Sequence, residues 1–318
     1  MTRIHVGRLR PGRGMWRAVP ALLFVLTVVV GTARAQEERI TPSHVYQQSL
    51  RLLRQIDLLR EAEGVTGAPR DPGVQYNKLP LHVYAKGLEV MGKIATLQQK
   101  HGLEPVQVPP TPTREFVPMV VLNLVKQLED EVVRVKQRLG VNERIAEPRF
   151  EPGKIPSDVY QALWQASFAL DGLIPALTPN HVYRNTEYIL AELQSVAQSL
   201  GATVPSEDEA DAHDMGREIV PRDVLVEAFK NLYRVGGLQR DLGLEPFTPP
   251  AFPIGKITPS DPFDATSMLL AELVRVKREL GIRDTYEREP LPEGKTPADV
   301  LAHAQHIGVV LNELAAVN

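Results

Sequence analysis

The chain has no cysteine in its 318 residues. That excludes disulfides, a thiolate nucleophile, a cysteine-held iron–sulfur cluster and a covalent c-type haem. The fold must therefore hold by packing alone. Long apolar runs are also missing. The one sustained run goes from Ala18 to Gly31. It is too short for an ordinary bilayer span but suited to the core of a signal peptide. Acidic residues are absent from positions 1–35, which hold six arginines instead (Arg3, Arg8, Arg10, Arg13, Arg17 and Arg34). Ala33-Arg34-Ala35 offers the small-x-small pattern a signal peptidase accepts, leaving Gln36 as the new first residue. An uncleaved anchor is the alternative. No adjacent arginine pair precedes the run, which points to the general export route. No later segment reads as apolar enough to span a membrane.

A surplus of basic charge is lacking too. Removing six arginines from 36 basic residues leaves 30 against 39 acidic ones, a net charge of −9. Such a protein is a poor partner for phosphate backbones or anionic lipid. About 283 residues remain after cleavage, enough for one large core or two ordinary ones.

What is present is a repeat. ITPSHVY at 40–46, KLPLHVY at 78–84, KIPSDVY at 154–160, LTPNHVY at 177–183, IVPRDVL at 219–225, ITPSDPF at 257–263 and KTPADVL at 295–301 align, with a degenerate FVPMVVL at 116–122. Their prolines are Pro42, Pro80, Pro118, Pro156, Pro179, Pro221, Pro259 and Pro297. Gly64, Gly102, Gly140, Gly201, Gly243 and Gly281 all follow their own prolines at one constant spacing. Proline suits the first helical position and glycine the position just past a helix end. Counted from the proline, positions +3, +7, +10, +14, +17 and +21 alternate steps of four and three, the seam of a helical bundle, with a looser match at +10, where Asn231 falls and Leu232 takes over. Position +14, for example, is Ile56, Ile94, Val132, Leu170, Leu193, Val235, Leu273 and Leu311. A strand, with period two, cannot produce this.

A shift of 141 lays Gly-Leu-Glu-Pro at 102–105 on the same residues at 243–246, and Val-Arg-Val-Lys at 133–136 on 274–277. The fold class is therefore read as all-α: eight repeated helix-plus-extended-linker units forming two tandem four-helix bundles. The divisions are 1–35 for the signal peptide, 36–175 for the first four-helix half and 176–318 for the second. The step from closing glycine to next proline, as from Gly64 to Pro80, is the same in five of six cases, and these linkers are proline-rich. A helix from proline to glycine spans about 33 Å, and such a linker, fully extended, reaches about 53 Å. Neighbouring helices can thus be parallel with extended returns, or antiparallel with draped linkers. The short join between the fourth and fifth helices predicts an antiparallel hairpin.

Position +2 holds His44, His82, Val120, Asp158, His181, Asp223, Asp261 and Asp299. Were the helix starts to gather, His44, His82 and Asp158 would resemble a facial metal site. The competing reading makes +2 the N3 capping position, where such side chains bond back to the cap. Position +4 holds Tyr46, Tyr84, Tyr160 and Tyr183, which could stack on a ligand or cofactor, or lie at the bundle edge with the ring buried. Position +7 is mostly small, which suits close helix approach. Gly294-Lys295-Thr296 lacks the leading glycine and strand of a phosphate loop. The acidic run from Glu207 to Asp214 lacks the pattern of a calcium loop. The helix–linker unit also differs from the helix pairs of tetratricopeptide repeats, whose signature residues are missing.

The functional expectation is a periplasmic or secreted binding or scaffold protein without an enzymatic role. Its partner would be another protein or a cell-envelope component; no cofactor, nucleic acid or membrane span enters this reading. The alternative is a sensor, carrier or metalloprotein holding a small ligand near the helix starts.

Overall fold

The computed structural model describes residues 39–206 and 217–317. The segment 1–35, expected from its sequence to be a signal peptide, and the acidic run from Glu207 to Asp214 lie outside the described residues. Among those described, the chain is all-helical, with eight helices and no strand. They are α1 (Pro42–Ala62), α2 (Pro80–Lys100), α3 (Pro118–Arg138), α4 (Pro156–Asp171), α5 (Pro179–Leu200), α6 (Pro221–Asp241), α7 (Ser260–Glu279) and α8 (Pro297–Val317). Ile40–Asn318 forms one compact unit.

The proline and glycine marks work as the sequence predicts. All helices but α7 begin on their proline. In α7, Pro262 has no N–H to give the Thr258 carbonyl, so regular helical bonding starts one residue late. Each of the six closing glycines takes a φ between 67° and 75°. The residue after it donates back into the last turn, as Val65 does to the Arg60 carbonyl at 2.8 Å and Ile282 to the Lys277 carbonyl at 2.9 Å. This is the Schellman close, in a left-handed conformation that glycine adopts at little cost.

The seam is buried as the spacing requires. The side chains at position +14, from Ile56 through Leu311, are all fully buried, at 0% exposure. Each such side chain contributes about 1.5–3 kcal/mol. Asn231 stays in the seam beside Leu232, because its amide donates to the Ala304 carbonyl at 2.6 Å and its oxygen accepts from Arg234 at 2.7 Å. Close approach accounts for the small residue at Gly87, where a Cβ would come within 2.6 Å of the Leu124 side chain.

Chain direction, open in the sequence, is now visible. Pro42, Pro80, Pro118 and Pro156 surround one small opening together with Val45, Val83, Val121 and Val159. Pro179, Pro221, Pro259 and Pro297 do the same with Val182, Val224 and Val300. Four helix starts at one end mean four parallel helices. Within each set, α1 and α2 both pack on α3 and α4, and α5 and α6 both pack on α7 and α8. The pairs α1 and α2, α3 and α4, α5 and α6, and α7 and α8 thus occupy opposite corners of a square.

The linkers are clamped by side chains, identically in the two halves of the sequence. Gln98 accepts the Val106 N–H at 2.7 Å and donates to Glu131, while Arg134 holds Glu131 at 2.6 Å. At the equivalent place in the second half, Gln239 accepts the Phe247 N–H at 2.8 Å and donates to Glu272, which Arg275 holds at 2.8 Å. Lys136 and Lys277 donate to the carbonyls of Glu143 and Asp284 at 2.8 and 2.5 Å.

The two sets meet through α2 and α7. His82 pairs with Glu272 and Lys86 with Asp264, so α7 runs backwards as α2 advances and the sets have opposite directions. The antiparallel sense expected at the fourth and fifth helices follows, but no packed hairpin forms: α4 and α5 are not among the closely packed pairs. The seven residues between them bury Leu173, Ile174 and Leu177 instead. One further difference concerns α8, which by length and composition alone could cross a membrane. Half of that stretch is buried, with Ile307, Val310, Leu311 and Leu314 in the core.

Candidate functional site

The +2 side chains turn back to their own helix starts. The Thr41, Leu79 and Thr178 N–H groups donate to Nδ1 of His44, His82 and His181 at 3.1, 2.9 and 3.2 Å. Ile155, Val220, Thr258 and Thr296 donate in the same way to Asp158, Asp223, Asp261 and Asp299 at 2.7 to 3.0 Å. Of the eight positions, only Val120 cannot accept. Nδ1 of His44 and of His82 and one carboxylate oxygen of Asp158 are thus engaged locally. Among the described residues, no three His, Asp or Glu side chains gather as metal ligands.

This geometry makes a pH-dependent cap. An imidazole accepts at Nδ1 only while that nitrogen carries no proton. Burial, aided by the nearby Arg184 charge, lowers the His181 value below its ordinary 6.5. The unfolded chain then binds the proton first on acidification. The cap's contribution is complete above 6.5 and is lost as pH falls through the lowered folded value. Replacing His181 with Asp, the residue used at four sister positions, will remove that loss. In denaturant titrations the variant will match or exceed the parent by up to about 1 kcal/mol in mild acid. An unchanged pH profile would show that the imidazole does not cap.

The +4 tyrosines are seats for incoming linkers. Lys154 donates its N–H to Ser43 Oγ at 3.1 Å and sets its ammonium 4.2 Å from the Tyr46 ring centre. Lys295 donates to Asn180 at 2.8 Å and lies 3.9 Å from the Tyr183 ring. Lys78 donates to Ser157 at 3.1 Å and lies 4.9 Å from the Tyr160 ring. Tyr84 receives an aromatic ring instead, Phe116 at 4.7 Å. Each partner sits two residues before a repeat proline. The +1 hydroxyl or amide and the +4 ring together hold a linker end, a pairing that no sequence spacing revealed.

The third seat differs from the others. Lys154 and Lys295 lie near solvent, but Lys78 is covered by the second half of the chain, with Phe247 4.8 Å from its ammonium. Burial lowers the Lys78 ammonium to about 8; the neighbouring Lys86 charge adds to this, and Glu272 opposes it. Among the described residues, no carboxylate pairs with it. On one side lies a buried charged layer. Lys86 bonds to Glu89 at 2.5 Å and Asp264 at 3.1 Å, Trp164 donates to Asp264 at 3.0 Å, and Ser167 donates to Glu89 at 2.8 Å. His82, its Nδ1 occupied by the cap, presents Nε2 to Glu272 at 2.7 Å. Burial would raise the Glu272 carboxyl, but His82, Arg275 and Gln239 outweigh it and hold it low.

On the other side of Lys78 is a cavity of about 540 Å³ between residues 70–78 and 248–256. Trp164 and Phe168 of α4 line it, and Arg70 lies over Phe168 at 4.3 Å while pairing with buried Asp261 at 2.8 Å. Exposed apolar residues, Val74, Tyr76 and Ile254, stand on its two linker walls. Of the sequence candidates, only Tyr160 and His82 come near this place, as lining of the small recess that Lys78 also borders. Lys78, Lys86, Trp164 and Asp264 lacked a motif, because the layer joins residues as far apart in the chain as Lys86 and Asp264.

Compared with known families, curated proteins and solved structures, the chain matches none.

Proposed function

We propose that this chain is an exported, non-catalytic binding protein, periplasmic or secreted after cleavage at Ala35. We take it to be built as two tandem four-helix bundles over 36–175 and 176–318. The observation that carries the binding reading is the cavity between the two linkers. It has the size of a small-molecule site, and its walls come from both halves of the sequence. It favours a small ligand over a purely scaffolding role. It also moves the site away from the helix starts, where the repeat prolines leave only a small apolar gap. The +2 and +4 residues act in caps and linker seats.

The test is recovery of the chain from its host by compartment, followed by native mass spectrometry. The reading expects an N-terminus at Gln36 in the periplasmic or culture fraction, and a retained small molecule. A chain that keeps the segment before Gln36 in the cytosol, with nothing bound at native levels, would overturn it.

A further inference from the structure

We infer that the small recess at the joint between the two sets holds a single halide-sized inorganic anion, bound by Lys78, Tyr160 and Ser267.

Size comes first. The recess has a volume of about 20 Å³, and its walls come from α2, α4, α7 and Phe247 of the linker before α7. That is room for one particle the size of a water molecule. Phosphate, sulfate and organic acids are too large for it.

Hydrogen-bonding capacity comes second, and what is unspent lies on the donor side. Lys78 is 7% exposed, its ammonium lies against the rings of Tyr160 and Phe247, and no carboxylate among the described residues pairs with it. The buried Tyr160 makes no hydrogen bond through its phenol among the described residues. Ser267 accepts from the Asn185 amide at 3.0 Å, which leaves its own O–H to donate. The side-chain acceptors of the lining are engaged. Glu89 receives Lys86 and Ser167. Glu272 receives Gln239 and Arg275 and pairs with His82, whose Nδ1 receives the Leu79 N–H. A water seated here finds donors to accept from and no free side-chain acceptor for its own hydrogens, whereas an anion only accepts.

Charge comes third. The titratable groups facing Lys78 are His82, Lys86 and Glu89 of α2, Tyr160 of α4 and Glu272 of α7. A buried ammonium without a counter-ion is costly to the fold, and an anion in the recess relieves that cost. Lys78 and Tyr160 come from the first half of the sequence and Ser267 from the second, so the ion fastens the joint between the sets.

The experiment titrates the processed chain with sodium chloride against sodium gluconate at constant ionic strength and reads thermal melting; gluconate is too large to enter. The melting temperature will rise with chloride and saturate as for one site, and bromide will act in the same way. The response will fade as pH rises through about 8, where Lys78 loses its proton. Lys78→Met will weaken the apparent chloride affinity at least about tenfold, and Tyr160→Phe, which keeps the ring and loses only the hydroxyl, about two- to tenfold. Crystals grown in bromide will show its anomalous scattering in the recess. No chloride response in the parent, an undiminished response in either folded variant, or a recess holding only water in those crystals overturns the inference. None of these outcomes touches the binding reading, which concerns the cavity between the linkers and has its own mass-spectrometric test.

Discussion

Replacing Lys277 with methionine will cost the fold about 3–5 kcal/mol at neutral pH. Lys277 is fully buried in α7, paired with Glu192 of α5 and donating to the Asp284 carbonyl of the linker that follows. Its removal leaves a 2%-exposed carboxylate without its cation and a linker carbonyl without its donor. Burial already raises Glu192 above the ordinary 4.5, with Lys277 opposing the rise. The sign of the pH dependence follows. Without Lys277, the Glu192 value climbs further, and the ionised form becomes the costly one. The loss measured by urea unfolding will therefore shrink as acid protonates Glu192. A second change, Glu192→Leu, will restore most of the stability, because an apolar pair of similar volume dispenses with both charges. The equivalent lysine supplies a control. Lys136 donates to Gln55, a neutral amide at the position equivalent to Glu192, at 2.6 Å. Lys136→Met strands no directly bonded carboxylate and will cost clearly less. Equal losses at the two sites would show that the buried charge is not what matters.

That contrast bears on how much was legible in the sequence. The Val-Arg-Val-Lys repeat at 133–136 and 274–277 is visible as duplication, but not as a linker clamp. Its arginine and lysine reach backbone carbonyls in the linkers beside them, and carbonyls have no sequence signature. Helix starts and ends were legible because proline and glycine act locally, through a missing N–H and a positive φ. Direction was not, since an extended linker long enough to retrace its helix satisfies either sense. The +2 and +4 patterns were visible as patterns. Their purpose depended on whether His44, His82 and Asp158 turn inward or back. The Leu79 N–H at 2.9 Å and its equivalents give that answer. Lys78 looks like any repeat lysine, such as Lys154. Only the placement of Phe247 from the second half makes it a buried, unpaired ammonium.

Replacing Lys86 with methionine will produce the other large loss, again about 3–5 kcal/mol, and will act at a different place. Lys86 joins Glu89 within α2 to Asp264 of α7, the helix pair through which the two sets meet. Burial would strip its proton, but Asp264 and Glu89 outweigh that and hold its value above the ordinary 10.5. Its stabilisation is therefore complete below 10.5 and lost only as pH rises through the elevated folded value. Asp264 is raised by burial but more strongly lowered by Lys86 and Lys93, so its contribution holds above 3.8 and fades as pH falls through the lower folded value. Glu89 is pushed up, by burial and by the Asp264 charge, and is the carboxyl that takes a proton first when Lys86 is gone. The loss in Lys86→Met will thus lessen in mild acid, and Asp264→Asn added to it will recover part of the stability. Trp164, the one tryptophan among the described residues, donates to Asp264 at 3.0 Å and carries the Lys86 ammonium 4.7 Å from its ring, so its emission reports on this charged layer. In Lys86→Met its fluorescence change will precede the loss of helical circular dichroism, because the joint between the sets opens before the seams do. Coincident transitions with stability within about 1 kcal/mol of the parent would mean that this charged layer does not hold the two sets together.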